Sequence, residues 1–382
     1  MKITCITVAQ FALMAAIGYC QQPPPRPVQS PEVHSDRSVT FRLRDPNAQT
    51  VTVSIAGRPQ PLPLKKGDDG VWSITTDPMD PDTYSYSFRA DGTNMLDPSN
   101  SAIVPNLLSP SSVLLVPGAE PHSWDVTDIP HGTIHHHFYK SGIIGDNRDF
   151  YVYTPPGYDP AARKKYPVLY LLHGYSDDAS GWTAVGYANF ILDSLIQQGK
   201  AKPMIIVMTL GYGAPEMVNK QFLATAGSPF GNNDLRSRNF DRFTNALLTE
   251  VIPMVEKQYR TVNNRDSRAI AGLSMGGAES LLTGLNHLDT FAYVASFSAG
   301  GESNEFATDF PKLDAATAKQ LRLLWIACGT DDRLITLNRS LVDWLTSKQI
   351  PVTRIETPGM HTWLVWRRNL TALAPLLFAE GK

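Results

Sequence analysis

The sequence predicts an α/β domain built on a mostly parallel sheet, preceded by a small β-sandwich. Three observations carry that prediction. From about Pro130 onward, near-continuous apolar runs alternate with stretches of helical periodicity, as buried parallel strands and their covering helices do. Before that point, short segments alternate apolar with polar residues between clusters of turn formers. The chain has 382 residues, 42% hydrophobic and 18% charged, which suits two folded domains with real cores.

In chain order, residues 1–20 read as an export signal. Lys2 precedes an apolar stretch from Ile3 to Ile17, too short and too weak for a membrane span. Ala16-Ile17-Gly18 and Gly18-Tyr19-Cys20 both offer small-x-small cleavage sites. A lipid anchor on Cys20 and a buried N-terminal helix are the alternatives; bulky Tyr19 counts against the anchor. The expected location is therefore secreted or periplasmic. Residues 21–32 hold Pro23, Pro24, Pro25, Pro27 and Pro31 and read as a semi-rigid linker.

Residues 33–117 give the sandwich. Val39 to Leu43, Val51 to Ile55, Val71 to Ile74 and Tyr84 to Phe88 are strand-like. Gly67-Asp68-Asp69-Gly70 and Asp77 to Asp82 supply turns between them. Short strands at this spacing suggest the immunoglobulin-like type. Residues 118–382 form the larger domain. Val168 to Leu172, Ile205 to Met208, Ala269 to Leu273, Tyr293 to Phe297 and Leu323 to Ala327 are its buried strands. Asn189 to Gln198, Phe243 to Tyr259, Ala278 to Leu285 and Trp366 to Leu377 have helical spacing.

Charge and cysteine content exclude several classes. Lys plus Arg is 34 and Asp plus Glu is 36, so no basic surplus exists for a phosphate backbone. Three cysteines make neither a disulfide scaffold nor a Cys-rich zinc module. No phosphate-binding glycine motif is present, and neither cofactor nor metal is expected. His135-His136-His137 lies in a strand-like segment with no matching carboxylate or cysteine cluster.

The chemistry centres on Gly272-Leu273-Ser274-Met275-Gly276, which joins a strand-like segment to a helix-like one. A serine on so sharp a turn has a strained backbone and an exposed hydroxyl, and glycines on either side relieve crowding. Serine is a weak nucleophile and needs a base and an orienting acid, here expected later in the chain in the order acid, then histidine. His287 and His361 follow Ser274. His287 lies about three turns along the helix, whereas His361 sits in a loop after the strand-like Val352 to Thr357, so His361 is the candidate base. The loop Cys328-Gly329-Thr330-Asp331-Asp332 also leaves the carboxyl end of a strand, where open α/β sheets place their sites. Either aspartate is the candidate acid on this ground. Acyl transfer needs two N–H donors for the oxyanion. Met275 N–H is one candidate, and Tyr175 N–H, after Leu171-Leu172-His173-Gly174, is the other. His173 is expected to brace that loop. Trp182, Tyr212 and Trp363 fall in loops near the predicted active face and are candidate substrate contacts, with core or rim packing as the alternative.

These segments resemble the esterase-D-like α/β-hydrolases, above all carbohydrate esterase family one with its feruloyl and acetyl xylan esterases. The matching stretches are Tyr151 to Tyr158, Leu171 to Gly174, Gly272 to Gly277, Cys328 to Asp332 and Gly359-Met360-His361. The resemblance implies an α/β-hydrolase fold and a Ser-His-Asp triad. It favours Asp332 over Asp331, because the acid ends a Gly-Thr-x-Asp stretch in that family. Phe41-Arg42-Leu43, Gly70-Val71-Trp72, Tyr84-Ser85-Tyr86 and Leu96-Asp97-Pro98 resemble early-set modules related to family forty-eight carbohydrate-binding modules. Such a module either binds glycan, lends residues to the active-site rim, or acts as a spacer.

The resemblance implies a secreted serine esterase releasing feruloyl or acetyl groups from esterified plant polysaccharide, with no nucleic-acid partner and no membrane span. A siderophore trilactone esterase of the enterochelin-hydrolysing kind is the alternative enzyme. Acyl transfer to a sugar is a further alternative. A glycan-binding protein with an inactive hydrolase domain is the alternative of another class, and the complete Ser274, Asp332 and His361 set speaks against it.

Overall fold

The computed structural model describes residues 27–301, 303 and 305–379. The export signal expected in residues 1–20, with both of its cleavage sites, lies outside the described residues. Among the described residues, no helix is long and apolar enough to cross a membrane.

The first part is built from β1 (Glu32–Val33), β2 (Val39–Arg44), β3 (Val51–Ile55), β4 (Leu62–Pro63), β5 (Lys65–Lys66), β6 (Val71–Thr75), β7 (Asp82–Ala90), β8 (Thr93–Met95), β9 (Ile103–Val104) and β10 (Ser111–Val116). They form two antiparallel sheets, ordered β1-β2-β6-β5 and β4-β3-β7-β10-β9, with β8 on β7. Their alternation is the reason for the layers. Along β7 every second residue, from Asp82 through Tyr84, Tyr86 and Phe88 to Ala90, is buried. Phe41 meets Tyr86 and Phe88 in the core between the sheets, at ring separations of 4.9 and 6.4 Å.

The second part is one eight-stranded sheet. Its strands are β11 (Thr133–Lys140), β12 (Asn147–Thr154), β13 (Val168–Leu172), β14 (Ile205–Thr209), β15 (Arg268–Leu273), β16 (Tyr293–Phe297), β17 (Leu323–Gly329) and β18 (Thr353–Thr357). The spatial order is β11-β12-β14-β13-β15-β16-β17-β18. It is antiparallel at the β11 and β12 edge and parallel from β14 onward. The central strands β13, β14 and β16 are buried at every residue, which is why they read as unbroken apolar runs.

Helices cover both faces: α1 (Gly181–Ala184), α2 (Ala188–Gln197), α3 (Lys220–Ala226), α4 (Asn233–Ala246), α5 (Ile252–Gln258), α6 (Met275–Asn286), α7 (Phe306–Asp309), α8 (Ile335–Ser347) and α9 (Trp363–Leu373). The helical stretch expected from Phe243 begins ten residues earlier, at Asn233. Its start is a side-chain cap, Asn232 accepting from Leu235 N–H, not an apolar repeat. A π-helical turn, Leu247–Val251, joins α4 to α5 ahead of Pro253.

The two parts pack directly on each other. Leu364 of α9 reaches the sandwich core. Arg367 and Arg368 of α9 both pair with Asp82 of β7, at 2.8 and 2.6 Å. Arg367 also donates to the Val185 carbonyl. One arginine thus ties the sandwich, α9 and the end of α1 together in a buried network.

Candidate active site

Four chain segments meet above the carboxyl ends of β13, β15, β17 and β18. Ser274 follows β15 and opens α6, with φ 52° and ψ −116°. A positive φ at a residue with a Cβ costs about 1–3 kcal/mol and persists only where the surroundings fix it. They do so here. A Cβ on Gly272 would meet the Gly276 carbonyl oxygen at 2.3 Å, and one on Gly276 would meet the His173 carbonyl oxygen at 2.3 Å. Both glycines are therefore required by close approach of backbone to backbone. Ser274 N–H donates to the Phe297 carbonyl at 2.8 Å, and the serine carbonyl accepts from Ala278 N–H at 3.0 Å.

His361 lies in the loop between β18 and α9. Its Nε2 is 3.0 Å from Ser274 Oγ and accepts the hydroxyl proton when the ring is neutral. Its Nδ1–H donates to the Asp332 carboxylate, 2.8 Å from Oδ2 and 3.0 Å from Oδ1. Trp366 stands edge-on to the imidazole at 4.9 Å. The acid loop and the histidine loop are locked together: Asp331 N–H donates to the Gly359 carbonyl, and a Cβ on Gly329 would meet that same oxygen at 2.3 Å. Asp332 is buried. Burial alone would raise its pKa, but the hydrogen bond and charge of His361, with Leu334 N–H, outweigh it and hold the carboxyl below its usual range. Asp331 points outward and is exposed, so the aspartate on the histidine is Asp332.

The loop after β13 carries the proposed second N–H. His173 is buried, and burial pushes its imidazole down to about 4, so the ring is neutral. Gly211 N–H donates to Nε2 at 2.9 Å, so the ring proton resides on Nδ1, which donates to the Gly174 carbonyl at 2.7 Å. That carbonyl and Tyr175 N–H belong to one trans peptide and point in opposite directions. Drawing the Gly174 oxygen onto His173 turns Tyr175 N–H the other way. Met275 N–H is the first of α6 and has no acceptor within its helix. A Cβ on Gly174 would lie 3.5 Å from Ser274 Cβ, which brings the Tyr175 loop close over the serine.

A cleft of about 740 Å³ opens over Ser274 and His361, within the size range of small-ligand sites. Phe230, Phe240, Leu337 and Trp363 give it apolar walls, and Arg236 and Arg333 add positive charge. Ser85, Val104, Asn106, Ser109 and Ser111 of the sandwich complete it. Of the roles open to the sandwich, this is the lending of residues to the active-site rim.

Two of the three expected aromatic contacts lie elsewhere. Trp182 is fully buried; its indole N–H donates to the Leu172 carbonyl and its ring packs edge-on against Trp363 and Phe297. Tyr212 is also buried, with its hydroxyl donating to the Asp177 carbonyl at 2.9 Å beneath the Tyr175 loop. Trp363 does line the cleft. The three adjacent histidines are spent on separate partners: His135 on Thr154, His136 on Asp149 and His137 on Tyr259. Among the described residues, no cluster of three or more metal-ligating side chains occurs.

The chain is similar to several known esterases. An endo-1,4-beta-xylanase/feruloyl esterase of Xylanibacter ruminicola is 31% identical over 355 residues, covering 91% of this chain and 46% of that protein. The chain thus spans less than half the length of that relative. A solved ferulic acid esterase is 25% identical, with a TM-score of 0.54, covering 65% of this chain and 98% of its own. An enterochelin esterase from Shigella flexneri is 19% identical, with a TM-score of 0.66, covering 89% of this chain and 92% of its own; that likeness is one of fold. The putative esterase family matches residues 141–377, from before the second strand of the large sheet to the end of its last helix. The match takes in well over half of the sequence and every large-domain residue described above the sheet, and by it the chain belongs to the putative esterase family.

Proposed function

We propose that the protein is a serine esterase that releases feruloyl groups from plant cell-wall polysaccharide. The observation that carries this reading is the hydrogen-bonded series Ser274–His361–Asp332 at the floor of an aromatic-walled cleft. Similarity to a xylanase/feruloyl esterase over most of the chain supports the acyl group. The export segment read in residues 1–20 would deliver the enzyme to such a substrate.

In this mechanism Ser274 Oγ attacks the ester carbonyl carbon as its proton passes to His361 Nε2. The carbonyl oxygen becomes an oxyanion and takes hydrogen bonds from Tyr175 N–H and Met275 N–H, each contributing about 10²–10³ in rate. Asp332 holds the imidazole in the tautomer that can accept the proton and stabilises the imidazolium. The tetrahedral species collapses, the carbon–oxygen bond to the sugar breaks, and His361 returns the proton to the departing alkoxide. Water then attacks the acyl-enzyme, giving its proton to His361. Release of the acid regenerates the Ser274 hydroxyl.

A second reading is a trilactone esterase of the enterochelin-hydrolysing kind. The specific observation in its favour is that the fold likeness to an enterochelin esterase extends over the sandwich as well as the sheet. Hydrolysis of methyl ferulate, acetylated xylan and a cyclic catecholate trilactone, each by wild type and Ser274→Ala, separates the readings. Serine-dependent release of ferulate is expected. Turnover of the trilactone alone would replace the substrate, and undiminished activity of Ser274→Ala would remove the mechanism.

A further inference from the structure

We propose that Asn106, a residue of the sandwich, is a positioning residue for the oxyanion-binding loop of the large domain. It lies between β9 and β10, about seventy residues before the loop it holds. The proposal rests on the reading of Ser274 as nucleophile and Tyr175 N–H as oxyanion donor.

The Asn106 side chain uses both ends. Its Oδ1 accepts from Leu108 N–H and Ser109 N–H, which folds its own turn and fixes the amide. Its Nδ2 reaches across the domain boundary and donates to Ser176 Oγ at 2.9 Å and to Asp177 Oδ1 at 3.1 Å. Next to it, Leu107 N–H donates to the Ser176 carbonyl at 2.8 Å. The residue held in this way needs holding. Ser176 has φ 71°, a left-handed conformation that a serine adopts only under constraint.

The geometry divides the work around Tyr175. His173 fixes the carbonyl of the peptide that bears Tyr175 N–H. On the far side of Tyr175, the Ser176 hydroxyl and carbonyl are gripped from the sandwich and by nothing in the large domain among the described residues. Without the Asn106 amide, the Leu107 N–H is the one remaining sandwich contact on Ser176 among the described residues, and Ser176 can relax from its left-handed angle and rotate the Tyr175 peptide away from the oxyanion. Asp177 is buried and would lose its one side-chain donor among the described residues at the same step, keeping only the backbone hydrogen bond from Gly174. A buried carboxyl that loses one of its donors is less well satisfied, which favours that relaxation.

The experiment measures wild type, Asn106→Ala, Asn106→Ser, Ser274→Ala and the double variant Asn106→Asp/Asp177→Asn on p-nitrophenyl acetate. That ester is too small to need the sandwich for binding. Folding is checked by thermal unfolding, and an aryl trifluoromethyl ketone reports the oxyanion site through its serine adduct. Asn106→Ala is expected to lower kcat by about tenfold to a hundredfold, the effect of misplacing a reacting group by about an ångström. KM should stay within about threefold, and affinity for the ketone should fall in step with kcat/KM. Asn106→Ser keeps a side chain able to close the local turn but too short to cross, and should lose as much. The double variant exchanges amide and carboxylate across the boundary and should recover most of kcat. Wild-type kcat and ketone affinity in folded Asn106→Ala and Asn106→Ser would overturn the proposal. So would a loss of kcat that the double variant does not restore and ketone affinity does not follow. Undiminished activity of Ser274→Ala would instead sink the underlying mechanism, and the proposal with it.

Discussion

Arg367 of α9 and Asp82 of β7 form an ion pair across 285 residues of sequence, with each side chain 1% exposed. Burial lowers the arginine's pKa, and the Asp82 charge works against that. Breaking such a pair strands a charge in the interior, at about 3–5 kcal/mol. Asp82→Ala should therefore lower unfolding free energy by about that amount in urea titration. A loss below about 1 kcal/mol, the worth of a surface pair, would show that the junction is held by apolar contact alone.

Two buried groups beneath the Tyr175 loop tilt stability with pH in opposite directions. His173 has a folded value of about 4 against an ordinary 6.5, so its contribution is complete above about 6.5 and lost as pH falls towards 4. Asp177 is pushed by burial up to about 7 from an ordinary 3.8, so its contribution is complete below about 4 and lost as pH rises through 7. The contributions amount to roughly 3 kcal/mol for His173 and roughly 4 kcal/mol for Asp177 over their windows. In wild type the slopes offset each other. His173→Gln should lose stability relative to wild type as pH rises from about 4 to 7, and Asp177→Asn as it falls from about 6.5 to 4. Urea unfolding across that range checks both, and parallel curves for all three proteins would refute the assignment.

Much of the site was readable because its chemistry and its local structure coincide in sequence. Ser274 sits where a strand run meets a helical run, and His361 follows the last strand. Asp332 is different. Asp331 and Asp332 share a loop, and only the turn of the chain at Thr330 decides which one faces the histidine. Trp182 was unreadable for a related reason. A tryptophan in a loop beside an active site looks the same whether it faces outward or inward, and here α9 covers it from nearly two hundred residues away. The hold of Asn106 on Ser176 leaves no local trace at all, since it depends on how two domains dock.

The Asp332–His361 bond predicts a specific kinetic loss. Asp332→Asn keeps the shape but cannot hold the proton on His361 Nδ1. kcat on methyl ferulate should fall by about 10⁴ with little change in KM. A fall below about tenfold would mean that another group orients the base.

The aromatic wall predicts acyl selectivity. Phe230 lines the cleft and packs edge-on to Tyr175 at 4.8 Å. Phe230→Ala should lower kcat/KM for methyl ferulate about tenfold more than for p-nitrophenyl acetate, since one aromatic contact is worth roughly 1 kcal/mol or more. Equal losses on the two esters would place the ferulate ring elsewhere in the cleft.

The most direct test of the account is to trap the acyl-enzyme. Wild type mixed with methyl ferulate and quenched in acid within the first turnover should carry one feruloyl group, and peptide mass mapping should locate it on Ser274. A feruloyl group on another residue, or rapid ferulate release by Ser274→Ala with no adduct, would contradict it.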